Sequence, residues 1–419
     1  NYTPTTSLTQ TATASLVVTV VDDGGTANGG INTTTASFTI RVDPVNDAPE
    51  VTPENLQSLT LIEDDASVHT VTFNVTDEET PSHAFLYGLE VSNQNLFASG
   101  YPKVITVNGQ DVVSVDIQLA PNANGSSRVT VNITDAEDTM GFGPSHTIVR
   151  AIGVDVTAVN DAPVLKGDTV DLDYTEQAAS INVVSDNFEI TDVDTGAQIV
   201  SASIVLAMED GSAIDSADEL TYSTEIAGIA SQNIVLNNQK GIELVFEGGT
   251  SHDNFEAALK SIQFHNHSDD PSPVTRTITI QVNDGESFYN LSDAFWRDIV
   301  FTAVNDAPRF TIQPTAINVN EDADQQTITD FLTNIDAVES GQGITRVSVH
   351  VETGEALFSD EPTLAWEQGS EVATLTYTPT TSLMETAMAS LVVTVVDDGG
   401  TANGGINTTT ASFTIRVDP

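Results

Sequence analysis

Short runs of alternating apolar and polar residues, rich in Val, Ile and Thr, dominate the chain. Residues 15–23 read SLVVTVVDD and residues 36–44 read ASFTIRVDP. A two-residue period marks a strand with one face buried. Between them DDGGTANGG concentrates turn formers, so the pair reads as a long hairpin. The same ending recurs as SRVTVNITD (127–135) with HTIVRAIGVDVTAV (146–159), and as RTITIQVND (276–284) with AFWRDIVFTAV (294–304). Several short strands in about 110 residues predict a two-sheet sandwich. Only residues 252–262, HDNFEAALKSI, break this pattern. Phe255, Leu259 and Ile262 fall at helical spacing there and predict one or two helical turns.

The pattern is repeated on a larger scale. Residues 376–419 duplicate residues 1–44 except at positions 1, 9, 10 and 13. A repeat at this offset implies a piece of a longer array. The string Val-Asn-Asp-Ala-Pro punctuates the chain at 45–49, 159–163 and 304–308. These strings divide it into a C-terminal piece of a repeat (1–44) and repeats at 45–158, 159–303 and 304–419, the middle one longer by its helical insertion. The first 44 residues hold two strands and a lead-in, too few for a sandwich of their own.

Composition narrows the partners. Asp and Glu total 61 against 12 Lys and Arg, a formal net charge of −49 over 419 residues. Nucleic acid and anionic membranes both need a basic surface and are excluded as partners. Such a charge strains a compact state by self-repulsion, and bound divalent cations are the natural neutraliser. There is no Cys, hence no disulfide and no thiolate metal site. No run of 18 apolar residues predicts membrane insertion. No signal peptide is visible at Asn1, so an export signal, if the protein is secreted, belongs outside this sequence.

The punctuating string resembles the DxNDxxP interdomain linker of cadherins. With YTPTTSL, SLVVTVVDDGGTANGG, ALKSIQFHNHSDDP and RTITIQVNDG, the whole chain resembles the cadherin-like or immunoglobulin-like tandem repeats of giant bacterial surface adhesins, including the RTX type. The resemblance implies an all-β chain of Greek-key sandwiches in an extended array, Ca²⁺ at each junction, and a secreted or cell-surface location. It further implies an extender role, stiffened by Ca²⁺, in adhesion or biofilm formation.

Ca²⁺ takes six to eight oxygens from carboxylates, amides and carbonyls. By the same resemblance each junction draws them from a Glu of the preceding domain, the linker Asn and Asp, and two loops of the following domain. The first junction would use Asn46, Asp47, Asp77 and Asp135. The second would use Glu63, Asn160, Asp161, Asp192, Asp194 and Asp284. The third would use Glu176, Asn305, Asp306, Asp336, and Asp397 or Asp398. Glu321 would serve a further junction after Pro419. The chain departs from the pattern in places. Only Asp192 and Asp194 form a D-x-D pair, Asp77 is matched with Glu79, and Asp336 with Glu339. The first linker position is Asp43 once and Thr157 and Thr302 elsewhere.

Other chemistry finds little support. His265 and His267 share one face of a predicted strand, but no third Zn²⁺ ligand stands at motif spacing; they read as exposed strand-end residues. No nucleophile elbow, HExxH or phosphate loop occurs, so no enzyme is expected. Trp296 and Trp366 sit in strand-like text and read as core residues. Two alternatives to the extender remain: a module that binds a cell-surface glycan or protein directly, and homophilic self-association of arrays.

Overall fold

A computed structural model of the chain describes residues 1–5, 8–81, 84–106, 111–135, 143–223, 226–236 and 239–419. The chain is all-β, built from several sheets, with a single α-helix among the described residues. It divides into two compact units, Asn1–Asp161 and Ala162–Pro419.

The first unit opens with an antiparallel hairpin, Ala12–Val21 against Thr33–Val42, in register from Ala12↔Val42 to Val21↔Thr33. A two-sheet sandwich follows. One sheet has the order Glu50–Thr52, His69–Thr76, Val112–Ile117, Lys103–Thr106; the other runs Leu59–Ile62, Thr147–Thr157, Gly125–Thr134, Leu86–Val91. The leading segment thus serves both sheets, antiparallel in the first and parallel to Thr147–Thr157 in the second. Val71, Phe73, Val113, Val115 and Ile117 of one sheet meet Val129, Val131, Ile133, Ile152 and Val154 of the other in one core. The alternation read from the sequence becomes the in-and-out alternation of these strands: along His69–Thr76, Val71, Phe73 and Val75 are buried and the residues between them exposed.

The second unit holds two such cores. The last, around Phe331, Leu375, Leu391, Val393 and Phe413, repeats the same plan. Its sheets are Arg309–Ile312, Gln326–Asp336, Ala373–Pro379, Phe358–Ala365 and Ala316–Asn320, Thr408–Asp418, Ala387–Asp397, Ile344–Thr353. The preceding core, around Ile204, Leu244, Phe264 and Ile280, is larger. Its main sheet gains a hairpin, Ala230–Leu236 with Gln239–Thr250, beside Ile199–Met208. The helix, His252–Lys260, buries Phe255, Ala258 and Leu259 against this core. It runs about two and a half turns, longer than the one or two expected. It stops before Ile262 because Ser261 N–H closes back on the Ala258 and Leu259 carbonyls, and Ile262 pairs with Tyr222 in a strand.

The duplicated hairpin occurs in two environments. Leu391, Val393, Val395 and Phe413 are fully or almost fully buried. Their sequence twins Leu16, Val18, Val20 and Phe38 are 38–63 % exposed. The strand register is the same in both copies, so the difference lies entirely in what covers the apolar face.

Trp296 departs from the core role expected of it. It is 59 % exposed, while its neighbours Phe295 and Arg297 point inward. Trp366 is half-buried against the last core and donates its indole N–H to Ser370 O at 2.8 Å.

Candidate metal centre

The acidic loops share one local device. Asp77 Oδ1 accepts the backbone N–H groups of Glu79 and Thr80, Asp192 Oδ1 that of Asp194, and Asp397 Oδ1 that of Gly399, all at 2.8–2.9 Å. Asp takes these turns because its short side chain reaches the backbone two residues on. One oxygen builds the loop. The second, Oδ2 in each of the three, is buried without a hydrogen-bond partner in the protein.

The linker asparagines complete the pattern. Asn46 is buried and gives its side-chain N–H groups to Asp135 Oδ2 (3.0 Å) and Pro144 O (3.1 Å). Asn305 gives its own to Asp397 Oδ1 (3.3 Å), Gly400 O (3.3 Å) and Ile406 O (2.8 Å). Spending the nitrogen this way fixes the orientation of each carboxamide. Asn46 Oδ1 and Asn305 Oδ1 are then buried and unpaired.

In the first unit Asp47, Glu78 and Glu79 bring ligand oxygens within 4.8 Å of one another. They stand beside Asp77, which lines the same crevice of about 440 Å³ as Asp47 and Glu78. Burial pushes the Glu79 carboxyl above its ordinary range, and the negative charges of Asp77 and Asp47 push the same way. Asp135 is buried and spends Oδ1 on the N–H of His146. Glu78 was not among the expected ligands; its neighbours in the TDEET loop were the only sequence signal for it.

In the second unit Glu176 Oε2 accepts the N–H of Val304 at 2.7 Å, and Glu339 Oε1 accepts that of Asp306. The remaining oxygens, Glu176 Oε1 and Glu339 Oε2, are buried and unpaired, as are Asp397 Oδ2 and Gln342 Oε1. A Cβ built on Gly399 would strike both Asn305 Oδ1 and Gln342 Oε1, which places these two oxygens side by side. Burial raises the carboxyl pKa of Glu176 and of Glu339; the negative charge of Asp306 pushes the same way in both, while its backbone N–H opposes the shift at Glu339. Asp306 itself receives Gln177 Nε2 at 2.7 and 2.9 Å. Asp336 is exposed at a strand end, and Glu339 makes the linker contact in its place. Asp398 is exposed and binds the N–H of Gly343 (2.8 Å). Gln342 carried no motif signal, because it lies in an irregular loop.

The other expected residues fall in both units. In the first, Glu63 is buried and accepts Val159 N–H (3.0 Å) and Asn124 Nδ2 (3.1 Å), while Asp161 accepts Asn122 Nδ2 (3.3 Å). Asn160 donates to the Asp161 carbonyl at 3.0 Å. In the second, burial raises the Asp192 pKa; the charges of Asp194 and Asp284 push the same way, and the Asp194 N–H bond opposes it. Asp284 is buried and holds its own turn through Glu286 N–H. Glu321 accepts the N–H of Leu383. His265 and His267 stack at 4.2 Å on the outward face of their strand, with His267 Nε2 paired to Glu219 at 2.8 Å.

Buried polar atoms are normally paired, and each orphan calls for an explanation. An all-oxygen set of carboxylates and amides, several unpaired, fits a hard divalent cation such as Ca²⁺. It does not suit Zn²⁺, which prefers His and Cys.

No family model and no curated protein matches the chain. Among solved structures it is similar to the protocadherin GammaB4 extracellular domain, at 17 % identity and a TM-score of 0.39, covering 97 % of this chain and 55 % of that one. It is also similar to protocadherin Gamma B2 extracellular cadherin domains 1–5 (15 %, TM-score 0.43, 97 % and 66 %). A third is mouse cadherin-23 EC22-24 (16 %, TM-score 0.33, 89 % and 99 %). The chain thus spans less than two thirds of the length of the first two. Among the described residues no helix is long and apolar enough to cross a membrane.

Proposed function

We propose that the chain is a tandem array of sandwich repeats, 45–158, 159–303 and 304–419, preceded by the end of a further repeat at 1–44. Its role is that of a Ca²⁺-stiffened extender in a large secreted bacterial adhesin. The single observation that carries this reading is the repeated set of buried, unpaired oxygens around a linker asparagine. At Asn305 the set comprises Glu176 Oε1, Asn305 Oδ1, Glu339 Oε2, Gln342 Oε1 and Asp397 Oδ2. At Asn46 it comprises Asn46 Oδ1, Asp77 Oδ2 and Glu79 Oε2.

The chain's own residues supply orientation and charge. Glu176 and Glu339 each grip a linker N–H with one oxygen and hold the other in reserve. Asn305 is locked by three acceptors, so its carbonyl is aimed before any ligand arrives. Unneutralised, the like charges of Glu176, Asp306 and Glu339 oppose one another. A bound Ca²⁺ supplies the positive charge that turns this repulsion into a clamp, and its binding free energy adds to folding stability. A stiff array would then hold a distal binding domain away from the cell.

The test is a thermal unfolding scan in Ca²⁺ and in chelator, at matched ionic strength. A large rise in Tm with Ca²⁺ is expected, together with a narrower spread of dimensions by small-angle scattering. An unchanged Tm would return the acids to the status of solvated turn residues and end the extender reading.

A further inference from the structure

The third linker differs from the other two in the residue that follows it. The position after the Val-Asn-Asp-Ala-Pro string is Glu50 at the first linker, Val164 at the second and Arg309 at the third. A fixed cation therefore stands at the third junction, whose two sandwiches both lie in the second compact unit. Arg309 is paired opposite Asp336 in its own sheet, and its Nη2 reaches Asp269 Oδ2 of the preceding sandwich at 2.6 Å. The hydrogen bond to Asp269 raises the Arg309 pKa most. The charges of Asp269, Asp306 and Asp336 push the same way, with burial opposing.

Asp269 belongs to a loop, residues 267–275, that is held firmly from within its own sandwich. Its sequence HSDDPSPVT contains two prolines, each with a fixed φ, and Pro271 is buried. Arg276, with no exposed surface, closes the base of the loop. Its Nη1 donates to the carbonyls of Ser272 and Val274, and its Nε to Asp218 Oδ2 at 3.0 Å. Asp218 is buried as well and accepts Asn266 Nδ2 on its other oxygen at 2.7 Å. The guanidinium lies over the Phe301 ring, 4.3 Å from its centroid. A charge buried this deeply persists only when paired and hydrogen-bonded, and two of its acceptors are carbonyls of the loop itself. The tip is thereby presented to the next sandwich. Asp269 meets Arg309 there, and Asp270 Oδ2 accepts the N–H of Ser340 at 3.0 Å. The matching connections, 118–124 in the first sandwich and 380–386 in the last, read QLAPNAN and TTSLMET and carry no acidic pair.

We propose that this loop is a metal-independent strap across the third junction, with Asp269 gripping Arg309 and Asp270 gripping Ser340. The inference rests on the array reading above and adds that this junction keeps its alignment without Ca²⁺. Two contacts achieve what one would not. A single ion pair is a pivot about which two sandwiches still turn. Asp269 and Asp270 land on separate segments of the last sandwich, the start of the strand Arg309–Ile312 and the 337–343 loop, so rotation about either contact strains the other. Gln177 Nε2, bonded to both oxygens of Asp306 at 2.7 and 2.9 Å, ties the linker at a third point. Loop and linker border a cavity of about 590 Å³, with Asp270, Pro271 and Ser272 lining it from one sandwich and Glu339 and Gln342 from the other. None of these bonds uses an oxygen left unpaired around Asn305. The strap therefore acts beside a bound metal and does not compete with it.

The chain has no cysteine, so Glu209→Cys and Glu367→Cys, both at exposed positions, place one spin label on each sandwich of the full chain. Distance distributions are read in chelator at low salt, with circular dichroism confirming that each variant is folded. The parent should give one narrow population. Asp269→Ala combined with Asp270→Ala should widen it about twofold or more, and so should Arg309→Glu. Adding Asp269→Arg to Arg309→Glu should narrow it again. Salt at about 1 M should widen the parent, because charges are then screened within about 3 Å. A parent already as wide in chelator as the double alanine variant would overturn the strap. A narrow parent that the substitutions leave unchanged would overturn it equally. If Ca²⁺ then narrows every distribution, the metal reading survives the loss of the strap. If Ca²⁺ narrows none while the chelator results are as expected, the metal reading fails and the strap stands.

Discussion

Asn305 donates its side-chain N–H to Asp397 Oδ1 at 3.3 Å, and Asn46 makes the same bond to Asp135 Oδ2 at 3.0 Å. In each case a linker asparagine is tied to the acid that closes a core strand of the following sandwich. The linker is therefore built into the top of that sandwich and does not hang from it. Asn305→Ala should destabilise the chain even in chelator, because Gly400 O and Ile406 O lose their donor. The expected cost is about 1–3 kcal/mol. Denaturant melts in chelator measure it, and an unchanged midpoint would show that water replaces the amide fully.

Glu339→Gln should act with opposite signs in the two conditions. In chelator it removes a negative charge facing Asp306 and Asp397, so Tm should rise. In Ca²⁺ it removes a charged ligand, and affinity should fall about tenfold or more. Paired melts and a calcium titration read the two effects. A fall in Tm in both conditions would indicate a purely structural role for Glu339.

The duplicated hairpins permit a matched comparison. Leu391→Ala empties a fully buried position and should cost about 2–5 kcal/mol. Leu16→Ala alters the same residue in the same sequence context on an exposed face, and should cost no more than about 0.5 kcal/mol. Equal losses in denaturant melts would mean that the first hairpin is covered in solution.

Arg309 Nη2 meets Asp269 Oδ2 at 2.6 Å, with both side chains about half exposed or more. Beside it Asp270 Oδ2 accepts the N–H of Ser340 at 3.0 Å. Such an exposed pair contributes about 0.2–1 kcal/mol and is screened by salt. Arg309→Glu should lower Tm slightly at low salt, and Asp269→Arg in the same chain should restore it. If the double variant gains nothing over the single one, the pair carries no net stability.

The phenol of Tyr87 is pushed up to about 12, chiefly by burial and secondarily by the charge of Asp111. Its folded pKa lies above the ordinary value of 10.0. The native state therefore holds this proton where the unfolded chain has lost it. The resulting stabilisation is complete below pH 10 and disappears as pH rises towards about 12. Absorbance titration of tyrosinate should show a late-ionising phenol that is lost in Tyr87→Phe, beside the burial-raised Tyr377 present in both chains. Ionisation of every tyrosine near the ordinary value would contradict the burial of Tyr87.

Much of the fold was legible because a half-buried strand writes its geometry into a two-residue period. The closing hairpins of all three sandwiches, and the isolated one at 12–42, follow the alternation and the turn formers between the runs. The helix was legible in place but not in extent, since its end depends on Ile262 being claimed by a strand pair. In the candidate site, Asn305 and Asp397 stood out from their strings. Glu78 and Gln342 did not, because their positions depend on loop paths that no local spacing encodes.

Alternation alone determined that Phe295, Arg297 and Ile299 share one face and Trp296, Asp298 and Val300 the other. Both faces hold apolar residues, so the period does not say which turns inward. The tertiary structure decided it. The sheet packs Phe295 and Ile299 into the core and binds Arg297 to Val170 O, leaving Trp296 on the outward face, paired with Thr279 on one side and beyond the reach of Leu172–Thr175 on the other. The duplicated hairpin makes the same point with sequence held almost constant. Residues 14–44 and 389–419 are identical, and local physics forms the same hairpin in the same register in both copies. Burial depends on whether a second sheet lies across the apolar face, and that is set by distant parts of the chain.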